Sequence, residues 1–454
     1  MDILQNVVQY ILDLGAAVFV PFLMFIIALC MRMKVRDAFI SALTLGIAFT
    51  GMNLLVNFIM TSMGAAANDL ANNTGLSLPA VDIGWPGAAS ITWAWPYAFL
   101  MFPVQIGINV VLLLLNQTKT LNVDLWNVWN KIFSAVLVSY FTNNVFYGFC
   151  AAAILIVLEL KLGDVFAPEV ERLTGIPGVT VPHFICLIAV ILFPIDELLK
   201  RVPGLNKEFN ADNLKEKIGV FGENAVMGSI IGFLLGLASG NGFKFACTLA
   251  VQAATALQLF PMVSKLFAQS LSPISEAVSE FMRKKFKNRE VYIGLDWPIL
   301  GGRNELWVAV IFTMVFLLGF SITLPGNIVL PFAGIVNLSF VVGALLLTNG
   351  NVLRMIIHGF ISAPLFLYGA TYFTPYMTKL AQESGTLDSK QNGLISWATF
   401  EGPDLRYMLT HIFSGDILAF VLFACWIVLL VLLIRNRKKY NQSFIDANSV
   451  SKSE

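Results

Sequence analysis

The strongest constraint on this chain is the recurrence of apolar runs about as long as a bilayer is thick. A hydrocarbon core of about 30 Å takes about 20 apolar residues as a helix. Runs of that kind fall near 14–31, 38–63, 90–116, 126–144, 145–161, 225–241, 244–268, 305–325, 332–348, 353–375 and 414–435. Backbone groups in lipid must be hydrogen-bonded within the protein, so the pattern predicts an all-α integral membrane protein with about eleven transmembrane helices. Only 13% of the 454 residues are charged, against roughly 25% in soluble domains, and mean hydropathy is +0.76.

Two more apolar runs, 180–199 and 393–413, contain prolines and ionisable residues, including His183 and His411. They are expected to be re-entrant hairpins, since non-helical backbone at membrane depth must line protein or water. Residues 1–13 carry Asp2 and Asp13 and lack a basic start, which argues against a cleaved signal peptide. Their apolar spacing suits an amphipathic helix at the interface. The polar tail 436–454 is expected on the cytoplasmic side, without regular structure from Asn441 onward.

Sidedness follows from Lys and Arg near the span ends. The stretches Arg32–Arg36, Lys200–Lys217, Arg283–Arg289 and Arg435–Lys439 read as cytoplasmic, whereas 64–91 and 321–336 contain no Lys or Arg. An odd number of spans then puts the N-terminus outside and the C-terminus in the cytoplasm. Lys379 and Lys390 fall on the outer side of this scheme, a mild departure from the rule.

The chain also repeats itself. Asp82-Ile-Gly-Trp85-Pro86-Gly resembles Asp296-Trp297-Pro298 in its setting, with the Trp-Pro pairs 212 residues apart. About the same offset lays 14–31 on 225–241 and 38–63 on 244–268, while the basic and uncharged loops exchange places. This predicts two inverted-topology repeats, 14–199 and 225–435, joined by a cytoplasmic connector at 200–224. Repeats of this kind build transporters with a site near the membrane midplane.

An ionisable side chain at membrane depth costs a few kcal/mol or more unless paired, so each one is a site candidate. Asp296, before Trp297-Pro298, reads as a substrate contact or phosphoryl-transfer base, or else as a helix cap. His183 suits hydroxyl recognition, as donor and acceptor, or is a satisfied buried histidine. Glu223 and Asn224 could bind a hydroxylated ligand or start a helix. In Asn122–Lys131, Asn127 and Asn130 offer amides, and Trp126 and Trp129 either stack on a sugar or anchor the helix at the interface. Lys131 is expected at that interface. Glu401 and Asp404, in the second hairpin candidate, are the pseudo-symmetric counterparts, and Asp82, Trp85 and Trp297 are weaker candidates within the repeated motif. His358 and His411 are expected to be structural.

Several functions are excluded. Lys+Arg 29 against Asp+Glu 28 gives a net charge of +1, which provides no basic surface for nucleic acid. Three scattered histidines and five single cysteines show no metal-ligand spacing, and no phosphate-binding glycine loop is present. No cofactor is expected. Cys30, Cys150, Cys186, Cys247 and Cys425 read as buried small hydrophobes.

Val81-Asp-Ile-Gly-Trp-Pro-Gly87, Asn122-Val-Asp-Leu-Trp-Asn127, Ile176-Pro-Gly-Val-Thr-Val-Pro-His183, Phe221-Gly-Glu223, Ile293-Gly-Leu-Asp296 and Leu324-Pro-Gly326 occur in an order that resembles the galactitol-type enzyme IIC of the bacterial phosphotransferase system. The chain is similar, more distantly, to the ascorbate enzyme IIC. The resemblance implies an inner-membrane homodimer with a core transport domain and a V-shaped dimerisation domain, moving substrate by rigid-body displacement of the core. It also implies a polyol or sugar substrate, phosphorylated by a phosphocysteine on a partner IIB subunit, with IIA and the general phosphotransferase proteins upstream. By motif it points to His183, Asp296, Asn127 and Glu223 as substrate contacts. Phe184-Ile185-Cys186 and Glu401–Arg406 depart from the galactitol pattern, so the implied substrate is galactitol or a related polyol. The residues alone also admit an ion-coupled secondary transporter of unmodified substrate, with Asp296 or Glu223 as the coupling carboxylate.

Overall fold

A computed structural model describes residues 16–30, 32–73, 79–82, 84–93, 95–122, 128–205, 224–285, 291–331, 340–383 and 394–451. The chain is mostly helical. Residues 1–13, Trp126, Asn127 and Glu223 lie outside the described residues.

Helices α1 (Ala16–Cys30) and α2 (Val35–Asn73) are followed by strand β1 (Ala80–Asp82), α3 (Gly84–Trp93), α4 (Met101–Leu114), β2 (Thr120–Asn122), α5 (Val128–Thr142) and α6 (Val145–Thr174). Strand β3 (Val179–Thr180) leads through a 3-10 turn, Phe184–Ile188, into α7 (Ala189–Leu199). After the connector come α8 (Asn224–Ala238), α9 (Gly242–Lys285), β4 (Tyr292–Gly294), a 3-10 turn at Trp297–Gly302 and α10 (Asn304–Thr323). The chain closes with β5 (Val329–Leu330), α11 (Phe340–Thr348), α12 (Val352–Glu383), β6 (Leu394–Ser396), α13 (Pro403–Ile412) and α14 (Ile417–Ser451).

Among the described residues, four helical segments are long and apolar enough to cross a membrane: Val145–Thr174, Asn304–Thr323, Val352–Glu383 and Ile417–Lys439. The last leaves Ile417, Leu418, Val421 and Val428 exposed, as an element facing acyl chains would. The apolar run 90–116 is not one helix but α3, a short 3-10 turn and α4. Helix α9 carries on through the basic stretch to Lys285, and α14 runs into the polar tail as far as Ser451 where none was expected. Of the cysteines only Cys186 is buried, and Cys30 and Cys425 are exposed.

Helices α1, α2, α8 and α9 pack on one another, and the remaining elements enclose two apolar cores. Long helices begin where side chains cap them: the Asn144 side chain accepts from Phe146 N at 2.9 Å to open α6, and Asn351 Oδ1 accepts from Arg354 N at 3.0 Å to open α12.

The hydropathy pattern did not foresee two small parallel sheets, ordered β5–β1–β6 and β2–β4–β3. In each, the middle strand comes from one half of the chain and both flanking strands come from the other. Register is Ala80 opposite Val329 and Leu394 in the first sheet, and Gly294 opposite Asn122 and Thr180 in the second. Asp164 of α6 accepts from Thr118, Lys119 N and Thr120 at 2.8–2.9 Å, which holds β2 in place. Thr180 Oγ1 donates to Gly163 O at 2.5 Å and Ser396 Oγ to Ala370 O at 2.9 Å, so β3 is fastened to α6 and β6 to α12 by the same device.

Gly294 is where the second sheet is tightest. A Cβ there would lie 2.5 Å from Pro182 Cγ and 3.0 Å from Asn122 Cα. Gly294→Ala should therefore force the three strands apart and cost about 1–3 kcal/mol, as overpacking does. A lower melting temperature of the purified protein than wild type would show it, and an unchanged melting temperature would refute the packing argument.

Candidate functional site

Parallel pairing of β3 and β4, with Thr180 opposite Gly294, sends both strands out in the same direction. Three residues beyond Thr180 is His183, and two beyond Gly294 is Asp296; the pairing brings the two side chains together. Backbone bonds from Ile293 N to Gly178 O (2.8 Å) and from Leu295 N to Thr180 O (2.9 Å) hold this register to the end of the strands.

His183 is 2% exposed and caps the 3-10 turn, with Nδ1 accepting from Ile185 N at 3.1 Å. An accepting Nδ1 leaves the proton of a neutral imidazole on Nε2. That nitrogen lies 3.7 Å from Asp296 Oδ1, beyond direct hydrogen-bond range. Asp296 also accepts from Trp297 N at 2.6 Å, so it caps its helical turn while facing the histidine. The two readings of Asp296 are thus compatible.

Around this pair lie further charges, among them Glu159 and Arg406, which no motif in the sequence marks. Lys131 of α5 forms a salt bridge with Glu159 of α6, both 1% exposed. Lys131 is therefore not an interfacial residue: Val128 to Ser139 are buried throughout, so this stretch of α5 is interior and its cation is neutralised by a carboxylate on the next helix. Lys131 follows Asn130, to which Arg406 donates, and the same guanidinium lies over Phe184, the neighbour of His183. Arg406 of α13 is 1% exposed and donates to Ser134 Oγ (3.1 Å), Asn130 Oδ1 (2.8 Å) and Glu401 O. The cluster assembles Lys131, Arg406, Glu159, Glu401, Asp296 and His183 inside an apolar body.

The other sequence candidates divide between this cluster and the scaffold. Asn130 is fully buried and joins the cluster through Arg406. Glu401 is buried beside it. Asp82 Oδ1 accepts from Gly84 N (2.9 Å) and Ala398 N (3.1 Å), tying β1 to the segment after β6. Trp85 and Trp297 pack at the edges of the two apolar cores, and Asn224 is the first residue of α8. Asp404 accepts from Trp426 Nε1 at 3.2 Å and lines an apolar groove of about 620 Å³ between α12, α13 and α14. His358 contacts Asp196 at 3.3 Å beside Arg354, and His411 contacts Tyr372 at 3.0 Å.

Lys131 and Glu159 were legible in principle. Lys131 and Glu159 are ionisable residues inside adjacent apolar runs, of opposite sign and thus able to pair.

Buried donors and acceptors at the meeting of broken segments, within a helical body whose surface is apolar, define a membrane permease. Residues 10–390 match the family model described as the PTS system sugar-specific permease component, EIIC-GAT. The galactitol-specific EIIC component of the PTS from Escherichia coli (strain K12) is 33% identical over 416 residues, covering 90% of this chain and 91% of that relative. The corresponding protein of Escherichia coli O157:H7 matches with the same figures. The chain belongs to the EIIC-GAT family: it is a sugar-specific permease subunit of a phosphotransferase system, a multi-pass protein of the bacterial inner membrane.

Removing one member of a buried ion pair strands the other charge, typically at about 3–5 kcal/mol, whereas replacing both by apolar groups is often neutral. Glu159→Met and Lys131→Met should each lower the melting temperature sharply, and the double variant should recover most of the loss. Additive losses in the double variant would show that the two residues do not act as a pair.

Proposed function

We propose that this permease carries galactitol or a closely related polyol, which a phosphorylated IIB partner phosphorylates at the cytoplasmic face. The observation that carries the reading is the facing of His183 Nε2 and Asp296 Oδ1, in a chain matched over nine-tenths of its length by galactitol-specific relatives. A polyol presents hydroxyls that both donate and accept. His183 donates from Nε2 to one hydroxyl oxygen, and Asp296 accepts from another hydroxyl. Asn130 and Glu401 add a donor and an acceptor. Asn127 and Glu223 join the binding site on the strength of the family motifs, and Asn224 and Trp126 on their chemistry, as an amide beside Glu223 and a ring able to stack on a carbohydrate.

For transfer, the substrate hydroxyl oxygen bonds to the phosphorus of the IIB phosphocysteine as the S–P bond breaks. The thiolate leaves with IIB and the hydroxyl proton passes to Asp296. Phosphoryl transfer is chiefly positioning and charge stabilisation, which suits a subunit supplying an oriented hydroxyl and a carboxylate.

The transport movement follows the same reading. Exchange of strands between the halves and the repeated Thr/Ser fastening of β3 and β6 support two inverted repeats, with the segments around 180–199 and 393–413 re-entering from opposite sides. Helices α1, α2, α8 and α9 form the V-shaped dimerisation domain of a homodimer, and the remainder forms the core that shifts as a rigid body. The N-terminus is outside and the C-terminus cytoplasmic.

The test is uptake of radiolabelled galactitol into membrane vesicles, with phosphoenolpyruvate and the soluble phosphotransferase proteins added or withheld. Phosphorylated product should accumulate only when the phosphate chain is complete, and Asp296→Asn should lower its rate about a hundredfold or more while still inserting in the membrane. Accumulation of free substrate driven by an ion gradient alone would contradict the mechanism, and near-normal uptake by Asp296→Asn would remove Asp296 from it.

A further inference from the structure

Arg406 touches three of the segments that carry the polar site. It reaches α5 through Asn130, Phe133 and Ser134, the segment before α7 through Phe184 next to His183, and the segment before α13 through Phe400 and Glu401. Its guanidinium lies 4.4 Å from the Phe184 ring centroid, 4.7 Å from that of Phe133 and 5.1 Å from that of Phe400. Such faces stabilise a dry cation, and a planar five-donor fork cannot be replaced by the single ammonium of lysine. The backbone before α13 packs on the same ring that Arg406 covers: a Cβ on Gly402, at φ +58°, would lie 2.2 Å from Phe184 Cε1.

The consequence falls on Asn130. Arginine has only donors, so the amide atom facing it must be the oxygen. With Oδ1 committed to Arg406 at 2.8 Å, the Nδ2 amide group points elsewhere. It is buried and has no hydrogen-bond partner among the described residues. A buried donor left without a partner is costly, and a ligand oxygen would satisfy it.

We infer that Arg406 is a positioning residue that sets substrate specificity: it locks the Asn130 amide so that the site offers an N–H donor to one particular hydroxyl oxygen of the polyol. This rests on the reading that a polyol binds among Asn130, His183 and Asp296. Arg406 itself touches no substrate. Asn130→Asp keeps the oxygen that Arg406 grips and replaces the donor by a second acceptor. Arg406→Lys keeps the charge and releases the amide.

The experiment measures binding of galactitol and of each mono-deoxygalactitol to the purified full-length protein in lipid nanodiscs, for wild type, Asn130→Asp and Arg406→Lys, with melting temperature as a check on folding. In wild type, the analogue lacking the recognised hydroxyl should bind about tenfold more weakly than galactitol. In Arg406→Lys that penalty should vanish, and in Asn130→Asp, whose carboxylate accepts from the hydroxyl instead of donating to it, that penalty alone should change in size, while penalties at the other positions remain. If Arg406→Lys does not fold, Asn130→Asp alone decides. Retention of the full wild-type penalty pattern, or an equal loss for every analogue, would overturn the assignment by leaving Arg406 a purely structural role. Failure of wild type to bind galactitol or any other polyol would instead refute the substrate reading, and this assignment with it.

Discussion

A chain that leaves the helix inside an apolar body must still satisfy its backbone N–H and C=O groups, each at a cost of several kcal/mol if left bare. Here that need is met by two three-stranded parallel sheets of two or three residues per strand. Neither half of the chain can complete a sheet alone, because the middle strand of each belongs to the other half. The sheets therefore close the helix breaks and knit the halves together at once. Asp164, Asn109 and Thr378 reinforce them by bonding strand backbone from the neighbouring helices.

The site follows from that closure. Parallel strands in fixed register leave their sheet side by side, so His183 and Asp296 meet even though 113 residues separate them in the sequence. The surrounding cations are tolerated because each is engaged: Lys131 by Glu159, and Arg406 by four oxygen acceptors and a set of aromatic faces. Ion pairs of this kind contribute little to stability against an apolar alternative, so their value lies in the polar surface they hold ready within a dry interior. A permease subunit that hands a hydroxylated substrate to a phosphoryl donor needs such a surface.

Hydropathy located most of the helices, because a 20-residue apolar run is a strong signal. It misjudged 90–116 as a single helix, and it missed the continuation of α9 and α14, whose polar ends carry no lipid signal. Strands of two or three residues are too short to show an alternating pattern, and their partners lie more than a hundred residues away, so the sheets were invisible. The breaks they close were nonetheless marked by Trp85-Pro86, Pro182-His183 and Trp297-Pro298. At the site, His183 and Asp296 are legible as polar groups at those breaks, Asn130 as an amide in a run rich in tryptophan, and Glu401 as a carboxylate in a proline-containing apolar run. Lys131 was assigned to the interface because tryptophans precede it, a pattern that anchors and interior helices share. Arg406 was passed over because its acceptors, Asn130 and Ser134, come from a helix some 270 residues earlier, and no local spacing announces such a pairing.

The central claim is that substrate binds where the strands β3 and β4 end. A cryo-EM structure of the protein with galactitol bound would test it most directly. Ligand density within hydrogen-bonding distance of both His183 Nε2 and the Asp296 carboxylate is the predicted result. Density confined to another position, such as the apolar groove beside Asp404 and Trp426, would contradict it.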